Sequence, residues 1–149
     1  MPNVLFQQIS EPEVPALLGL MREFYPQQHM RFDEDVARPA IQALVTNPSL
    51  GQARFIYRGA ELAGYFVLTF CFSLEFHGRF ALLDELYLRE AFRRHGLGKA
   101  VVAFAETVCR QKGIQALRLE VGRDNKPAQG LYRKSGFAEE ARYLFTKWL

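Results

Sequence analysis

Apolar residues recur along the chain first at helical spacing and then at every second position. After a short predicted strand over residues 4–9, a helix is indicated by apolar residues three or four positions apart, namely Val14, Leu17, Leu18, Met21 and Phe24. A second helix is predicted over residues 33–46, because Asn47-Pro48 disfavours helical backbone beyond it. The N-terminal part of the chain therefore predicts a strand followed by two amphipathic helices.

The middle of the chain predicts three consecutive strands. The first covers residues 53–57, and a turn at residues 58–61 leads into the second. In that second strand the even positions carry the apolar side chains Phe66, Leu68, Phe70, Phe72, Leu74 and Phe76. A hairpin turn at residues 77–79 precedes a strand over residues 80–88, which is mostly apolar and therefore predicted to be central in the sheet.

The C-terminal part predicts alternating helices and strands. A long helix is indicated by the stripe Leu97, Val101, Ala105, Val108 and Cys109, and Gly113 ends it. A strand over residues 117–121 precedes a helix that Asn125 caps and Gly136 ends. Residues 137–149 are expected to form two closing strands. The order β-α-α-β-β-β-α-β-α-β-β predicts one α/β (α+β-like) domain, 1–149, with helices on both faces of a mixed sheet.

Composition excludes several classes of protein. The 149 residues are 49% hydrophobic and 23% charged, which is typical of a globular domain. No apolar run is long enough to cross a bilayer, and no signal-peptide pattern opens the chain. We therefore expect a soluble, cytoplasmic protein without a membrane partner. Cys71 and Cys109 lie in apolar patterns, so we expect reduced thiols, neither a nucleophile nor a metal site.

Positive charge is concentrated in one predicted turn. The net charge is only +3, yet Arg89, Arg93, Arg94 and Lys99 lie close together in the sequence. Such a cluster favours a small polyanion over a nucleic-acid track, so no nucleic-acid partner is expected. The segment Arg93-x-x-Gly96-x-Gly98 stands directly before a helix, where glycines give access to the backbone and free N–H groups attract anions. A pyrophosphate site is predicted; the alternative is a solvated basic turn.

A second group of residues lies on the last helix. Asn125 and Tyr132 are two helical turns apart and therefore share a face, and Gly136-Phe137 follow. Together with residues 83–88, Leu-Asp-Glu-Leu-Tyr-Leu, and with the turn at residues 93–98, this order and spacing resemble the GNAT acetyltransferase superfamily. The resemblance implies a mixed sheet of about seven strands, splayed between the fourth and fifth, with about four helices.

The resemblance also implies N-acetyltransferase activity, with acetyl-CoA as cosubstrate and an amine as acceptor. It implies that the backbone of Leu86 and Leu88 meets the pantetheine arm and that the backbone of residues 94–99 holds the pyrophosphate. The implied cofactor-binding residues are Leu86, Tyr87, Leu88, Arg93, Arg94, His95, Gly96, Leu97, Gly98, Lys99, Asn125, Ala128 and Tyr132.

Acetyl transfer to an amine needs a base for the amine proton and an acid for the leaving thiolate. Tyr132 is the expected acid and Glu85 the expected base. Strand alternation predicts that Glu85 shares a face with Leu83 and Tyr87, opposite Asp84, in a partly apolar setting that raises its pKa. The alternatives for Glu85 are a structural ion pair with Arg118, replacement by Glu120 as the base, or action through water.

The acceptor is expected to be a small cationic amine. A groove with acidic and aromatic walls would suit it, and the candidates are Phe24, Tyr25, His29, Phe32, Phe72, Glu75, Tyr143 and Phe145. A protein or peptide amine, or a non-catalytic acetyl-CoA sensor or scaffold, is the alternative function. The Phe-rich strand is also a candidate edge for a homodimer; otherwise it is buried under the first two helices.

Overall fold

The computed structural model of the protein describes residues 3–149. Its N-terminal part contains strand β1 (Val4–Gln8), a 3₁₀ turn (Glu11–Glu13), helix α1 (Val14–Gln27) and helix α2 (Glu34–Thr46). The remaining elements are strands β2 (Gly51–Arg58), β3 (Glu61–Ser73) and β4 (Gly78–Leu88), helix α3 (Leu97–Gln111), strand β5 (Leu117–Arg118) and helix α4 (Lys126–Lys134). The predicted order of elements is confirmed up to the end of α4.

Side-chain caps mark where the helices begin. Before α1, the Glu13 carboxylate accepts hydrogen bonds from the backbone N–H and the hydroxyl of Ser10. The Asp33 carboxylate accepts a hydrogen bond from the backbone N–H of Asp35, and the Asn125 side chain accepts one from Ala128. Each cap satisfies a backbone donor that the first helical turn leaves free, which explains why these polar residues start helices where the sequence predicts.

The sheet has the order β1-β2-β3-β4-β5. The first three pairs are antiparallel, whereas β4 and β5 are parallel and pair only through Ala81 with Leu117 and Leu82 with Arg118. Within the described chain, the rest of β4 has no strand partner on that side. The mixed sheet and the splay between the fourth and fifth strands are therefore confirmed.

Each face of the sheet has its own core. Helices α1 and α2 cover one face, where Phe55 and Tyr65 are buried, and α3 covers the other, where Phe66 and Leu68 pack with Val101. The even-numbered residues of β3 are thus not buried under the first two helices. Strand β3 also lies between β2 and β4, so it is not an edge, and the homodimer stays a prediction.

The two closing strands were predicted wrongly. Residues 137–149 contain no strand, and the sheet has five strands instead of about seven. Tyr143, Phe145 and Trp148 in this segment are largely exposed, and Arg142 ties it to Glu75 by an ion pair. A strand needs a neighbour for its backbone groups, and the two residues of β5 offer too short an edge to pair a long one.

Three further expectations concern membranes, metals and thiols. None of the helices within residues 3–149 combines the length and apolarity needed to cross a bilayer. Over the same residues, no three His, Cys, Asp or Glu side chains come together as a group that could hold a metal ion. Cys109 is buried and Cys71 half-buried, and both are free thiols.

Candidate active site

A β-bulge in β4 places two neighbouring carboxylates on the same face of the sheet. The register pairs Val67 with Glu85 and Leu68 with Leu83, so Asp84 is the extra residue. Leu83 packs in the core under α3, whereas Asp84 and Glu85 both line a cavity on the α1–α2 side. The prediction that alternation separates Asp84 from Glu85 and joins Leu83 to it was therefore wrong, because the bulge interrupts the alternation.

Two tyrosines hold the Glu85 carboxylate. The Tyr65 hydroxyl donates to Oε1 at 2.5 Å, and the Tyr25 hydroxyl donates to Oε2 at 2.6 Å. The alternative ion pair with Arg118 is wrong, since that guanidinium instead lies over the ring of Phe76 at 5.0 Å. Glu85 is therefore oriented by neutral donors and keeps its charge uncompensated.

Burial raises the pKa of the Glu85 carboxyl, and the nearby Asp84 charge adds to the rise, while the hydrogen bonds from Tyr25 and Tyr65 oppose it. Burial also raises the pKa of Asp84, although its side chain is open to the cavity. Both tyrosine pKa values are raised, first by burial and then by Glu85, so both hydroxyls stay protonated. The result is a carboxylate with increased proton affinity, as a general base requires.

The carboxylates line a cavity of about 450 Å³ between α1, α2 and the sheet. Among the residues expected in an acceptor groove, Tyr25 lines it, and Phe24 and Phe32 pack edge-on against the Tyr25 ring. The other expected residues lie outside this cavity and are His29, Phe72, Glu75, Tyr143 and Phe145. Glu120, the second candidate base, is exposed and also lies outside it.

The basic turn before α3 presents free backbone donors. Arg94 (φ 64°) and Gly96 (φ 80°) are both in the left-handed region, which turns successive N–H groups towards one side. The first hydrogen bond of α3 runs from Ala100 N to Gly96 O, and no side chain caps the helix. The N–H groups of residues 97–99 therefore lack intrahelical acceptors, and the side chains of Arg94, His95 and Lys99 are exposed around them.

The two glycines of this turn are needed for different reasons. Gly96 adopts a positive φ that other residues rarely accept, and a Cβ there would contact nothing. At Gly98 a Cβ would approach Leu131 Cδ2 to 2.8 Å, so this glycine lets α3 pack closely against α4. Sequence reasoning assigned ligand access to both glycines and missed the packing role of Gly98.

The Arg93 side chain folds back along the protein surface. Its Nε donates to the carbonyl of Leu88 at 2.8 Å, and its terminal nitrogen donates to Gln27 Oε1 at 2.8 Å. Arg93 therefore joins the end of β4 to helix α1. The structure gives this guanidinium a positioning role between the strand and the helix, whereas the exposed Arg94, His95 and Lys99 make no side-chain hydrogen bond within residues 3–149.

The backbone of β4 has polar groups facing the splay. The N–H of Arg89 donates to the carbonyl of Ala63 on β3 at 2.8 Å. The backbone N–H and C=O groups of successive residues in an antiparallel strand point to opposite sides. Those of Tyr87 therefore point towards β3, like those of Arg89, and those of Leu86 and Leu88 point towards the gap between β4 and β5. The Leu88 carbonyl is taken by Arg93, which leaves the groups of Leu86 and the N–H of Leu88 for a ligand.

Helix α4 brings Tyr132 to the face of the sheet opposite Glu85. The Tyr132 ring packs edge-on against Phe137 at 5.8 Å, in the same cluster as Leu86. Within the described chain its hydroxyl makes no hydrogen bond, and burial raises its pKa, so it keeps its proton at neutral pH. Asn125 uses its Oδ1 to cap α4 at the Ala128 N–H. Base and acid candidates thus stand on opposite faces, beside the gap between β4 and β5.

Sequence reasoning missed three residues of this site. Tyr65 orients Glu85, Asp84 shares its cavity, and Gln27 holds Arg93. A signal for Asp84 was present, because Asp84-Glu85 are the two charged residues in an otherwise apolar strand over residues 80–88. Tyr65 and Gln27 carry no such signal, since their roles arise from contacts between distant parts of the chain.

Comparison with known proteins gives concordant matches. The model of the acetyltransferase (GNAT) family matches residues 14 to 137. An uncharacterized N-acetyltransferase of Lactobacillus delbrueckii subsp. lactis is 26% identical, over 98% of this chain and 91% of its own. Thialysine N-epsilon-acetyltransferase of Bos taurus is 24% identical, over 91% of this chain and 85% of its own.

A solved structure is similar along nearly the whole chain. The integron cassette protein HFX_CASS3, from the mobile metagenome of the Cole Harbour salt marsh, has a TM-score of 0.85 and 33% identity. The match covers 97% of this chain and 90% of that protein. The chain therefore shares its fold with that protein over nearly its full length.

Proposed function

This chain belongs to the GNAT family of acetyl-CoA-dependent acyltransferases, and we propose that it acetylates the primary amine of a small cationic molecule. The observation that carries the proposal is the pair of carboxylates, Asp84 and Glu85, in a cavity beside the splayed strands. A cavity with uncompensated negative charge attracts a cation, and a carboxylate of raised pKa can remove the proton that prevents an ammonium from reacting.

The residues around the splay fit acetyl-CoA. The free N–H groups at the start of α3, with Arg94 and Lys99 beside them, suit the pyrophosphate. The open edge of β4 at Leu86 offers hydrogen bonds of the strand type to the pantetheine amides, and Asn125 stands across the gap on α4. When bound, acetyl-CoA supplies an acetyl group activated as a thioester.

In the proposed reaction the amine attacks directly, without a covalent enzyme intermediate. Glu85 first removes one proton from the ammonium, and the free amine nitrogen then bonds to the acetyl carbon. That nitrogen loses its second proton to water in the cavity as the carbon–sulfur bond breaks, while Tyr132 donates its hydroxyl proton to the sulfur and is reprotonated from solvent. A backbone N–H on the open edge of β4 stabilises the negative charge on the acetyl oxygen, and a donor of this kind contributes about 10²–10³ in rate. Acid and base assistance each contribute about 10²–10⁴.

The structure favours Glu85 over Glu120 as the base in this proposal. Glu85 is buried among donors that fix its position, whereas Glu120 is exposed and outside the cavity. Water filling the cavity provides a path for the proton when the amine stands too far from the carboxylate for direct transfer. We further propose a cytoplasmic location, and a homodimer supported by the exposed Phe72 and Leu74 at the end of β3.

Calorimetric titration with acetyl-CoA tests the donor site. In Gly96→Ala a residue with a left-handed φ carries a Cβ, which strains the turn. Because the turn changes shape to relieve this strain, its affinity for acetyl-CoA should fall by about fivefold to thirtyfold, the equivalent of about 1–2 kcal/mol. Gly113→Ala is the matched control, because Gly113 has a similar φ of 68° with nothing near its Cβ, at the other end of α3. Equal affinities in both variants would contradict a pyrophosphate site at the turn.

Release of free thiol from acetyl-CoA tests the reaction. The screen covers alkylamines, polyamines, aminoglycosides, amino acids and peptides, each with the wild type and with Glu85→Gln. We expect turnover with at least one small amine and its loss in Glu85→Gln at unchanged acetyl-CoA affinity. Tight binding of acetyl-CoA with no turnover on any amine would instead show a sensor or scaffold, and turnover on peptides alone would show a protein acetyltransferase.

A further inference from the structure

The acceptor cavity has charge at one end only. Its volume of about 450 Å³ lies within the usual range of small-molecule sites, about 300–1,000 Å³. Asp84 and Glu85 supply its charged groups, on the sheet side. Apart from Tyr25, whose hydroxyl is bonded to Glu85, the lining residues of α1, α2 and the loop after α2 are apolar, namely Leu17, Met21, Ala37, Ala40, Ile41, Leu44 and Leu50.

Asp84 is the free anion of this cavity. Both oxygens of Glu85 already accept hydrogen bonds from tyrosines, whereas within residues 3–149 the Asp84 carboxylate pairs with no cation and accepts no side-chain hydrogen bond. Because Asp84 is open to the cavity and has no competing partner, an ammonium that enters meets a free carboxylate. The carboxylates also adjoin the open edge of β4, so the amine that binds them is the amine that reacts.

The rest of the cavity disfavours a second polar group. None of the residues that line it is basic, so a ligand carboxylate would be buried without a cation. A second ammonium at the far end of the ligand would lie against Leu44 and the buried Ile41 and gain no partner, whereas a methyl group there buries apolar surface.

From this asymmetry, and resting on the proposed function, we propose that the acceptor is a monoamine with an apolar body. Its ammonium lies at Asp84 and Glu85, and its hydrocarbon part lies against the helices α1 and α2. Asp84 therefore selects for the amine, and the helix walls select against amino acids, diamines and aminoglycosides. In the reaction the ammonium first gives one proton to Glu85, and the free amine nitrogen then bonds to the acetyl carbon. The nitrogen gives its second proton to water as the carbon–sulfur bond breaks, and the sulfur leaves with a proton from Tyr132, which solvent replaces.

Hexylamine and 1,5-diaminopentane are a matched pair of probes, because they have the same number of heavy atoms and differ in one terminal group. Both are titrated calorimetrically in the presence of CoA, alongside propylamine, butylamine and pentylamine. We expect the alkylamine affinity to rise about threefold to fourfold per methylene, the equivalent of burying one CH₂. Hexylamine should bind at least about tenfold more tightly than the diamine, and Asp84→Asn should weaken hexylamine by a similar factor.

A variant of the wall tests the specificity independently. Ala40 lines the cavity yet is exposed on α2, so Ala40→Glu places a new carboxylate on the apolar wall without disturbing the core. It should move the preference towards the diamine. Ala43→Glu, which is exposed on the same helix but outside the cavity, is the matched control and should leave the preference unchanged.

The outcomes separate this inference from the proposed function. If the diamine binds as tightly as hexylamine, or if neither amine binds while acetyl-CoA does, the apolar acceptor is wrong and the acetyl-CoA site stands. If Ala40→Glu and Ala43→Glu behave alike, the wall does not set specificity. If acetyl-CoA fails to bind the wild type, the proposed function is wrong, whereas the amine series still reports the preference of the cavity.

Discussion

Removing the hydroxyl of Tyr65 tests whether the buried carboxylate depends on its tyrosine donors. Tyr65 has no exposed surface, and its hydroxyl donates to Glu85 Oε1 at 2.5 Å. Tyr65→Phe keeps the ring and its packing and deletes one donor. Because water does not reach this position, nothing replaces the lost hydrogen bond.

The expected cost follows from the charge and burial of the acceptor. A hydrogen bond to a charged group contributes about 1.5–3 kcal/mol to the free energy of unfolding, near the upper end where no water can substitute. For a domain of this length each kcal/mol changes the melting temperature by about 2–4 °C. Tyr65→Phe should therefore unfold about 3–12 °C below the wild type.

Tyr25→Phe is the matched control for this experiment. Tyr25 donates to the other Glu85 oxygen at 2.6 Å but is half-exposed beside the cavity, so water can replace its hydroxyl. Its loss should cost less than about 1 kcal/mol. Urea denaturation at pH 7, followed by far-ultraviolet circular dichroism, measures both variants. If Tyr65→Phe is as stable as the wild type, or if Tyr25→Phe is the more damaging change, the described burial of the carboxylate is refuted.

Two further predictions concern catalysis. Below the pKa of Glu85 the proposed base is protonated, so kcat/KM should fall at acidic pH. Asp84→Asn removes a negative charge that raises the pKa of Glu85, so this decrease in kcat/KM should occur at lower pH than in the wild type. Tyr25→Phe removes a hydrogen bond that lowers the pKa of Glu85, so the decrease in kcat/KM should occur at higher pH. If the pH–rate profiles of both variants shift in the same direction, Glu85 is not the base. Tyr132→Phe should reduce kcat by about 10²–10⁴ at unchanged acetyl-CoA affinity, measured by thiol release and calorimetry. An effect confined to KM would exclude Tyr132 as the acid.

Most of the fold could be predicted because local chemistry and tertiary packing agree along it. Asp33 and Asn125 are good caps and do cap α2 and α4, and the apolar stripe of α3 does face the sheet. The segment 137–149 shows the limit of this reasoning. Its alternating aromatic residues have strand propensity, but propensity provides no partner, and the short β5 leaves the backbone of this segment unpaired.

The site was predictable only where it is contiguous in sequence. The turn at residues 93–99 and the pair Asn125 and Tyr132 could be identified because spacing alone describes them. The surroundings of Glu85 could not, because a bulge depends on the register between β3 and β4, and a shift of one residue moves a side chain to the other face. Tyr65, twenty residues upstream, meets Glu85 only through that register.

Helix α1 connects the two halves of the site. Tyr25 bonds to Glu85 at the proposed acceptor cavity, and Gln27, on the same helical turn, bonds to Arg93 at the start of the basic turn before α3. One helix therefore sets the distance between the proposed base and the proposed donor site. Because the motifs that identify the family lie after residue 82, they describe the donor site, whereas α1 and α2 form the acceptor walls. Acceptor specificity should consequently vary with these two helices, independently of the acetyl-CoA motifs.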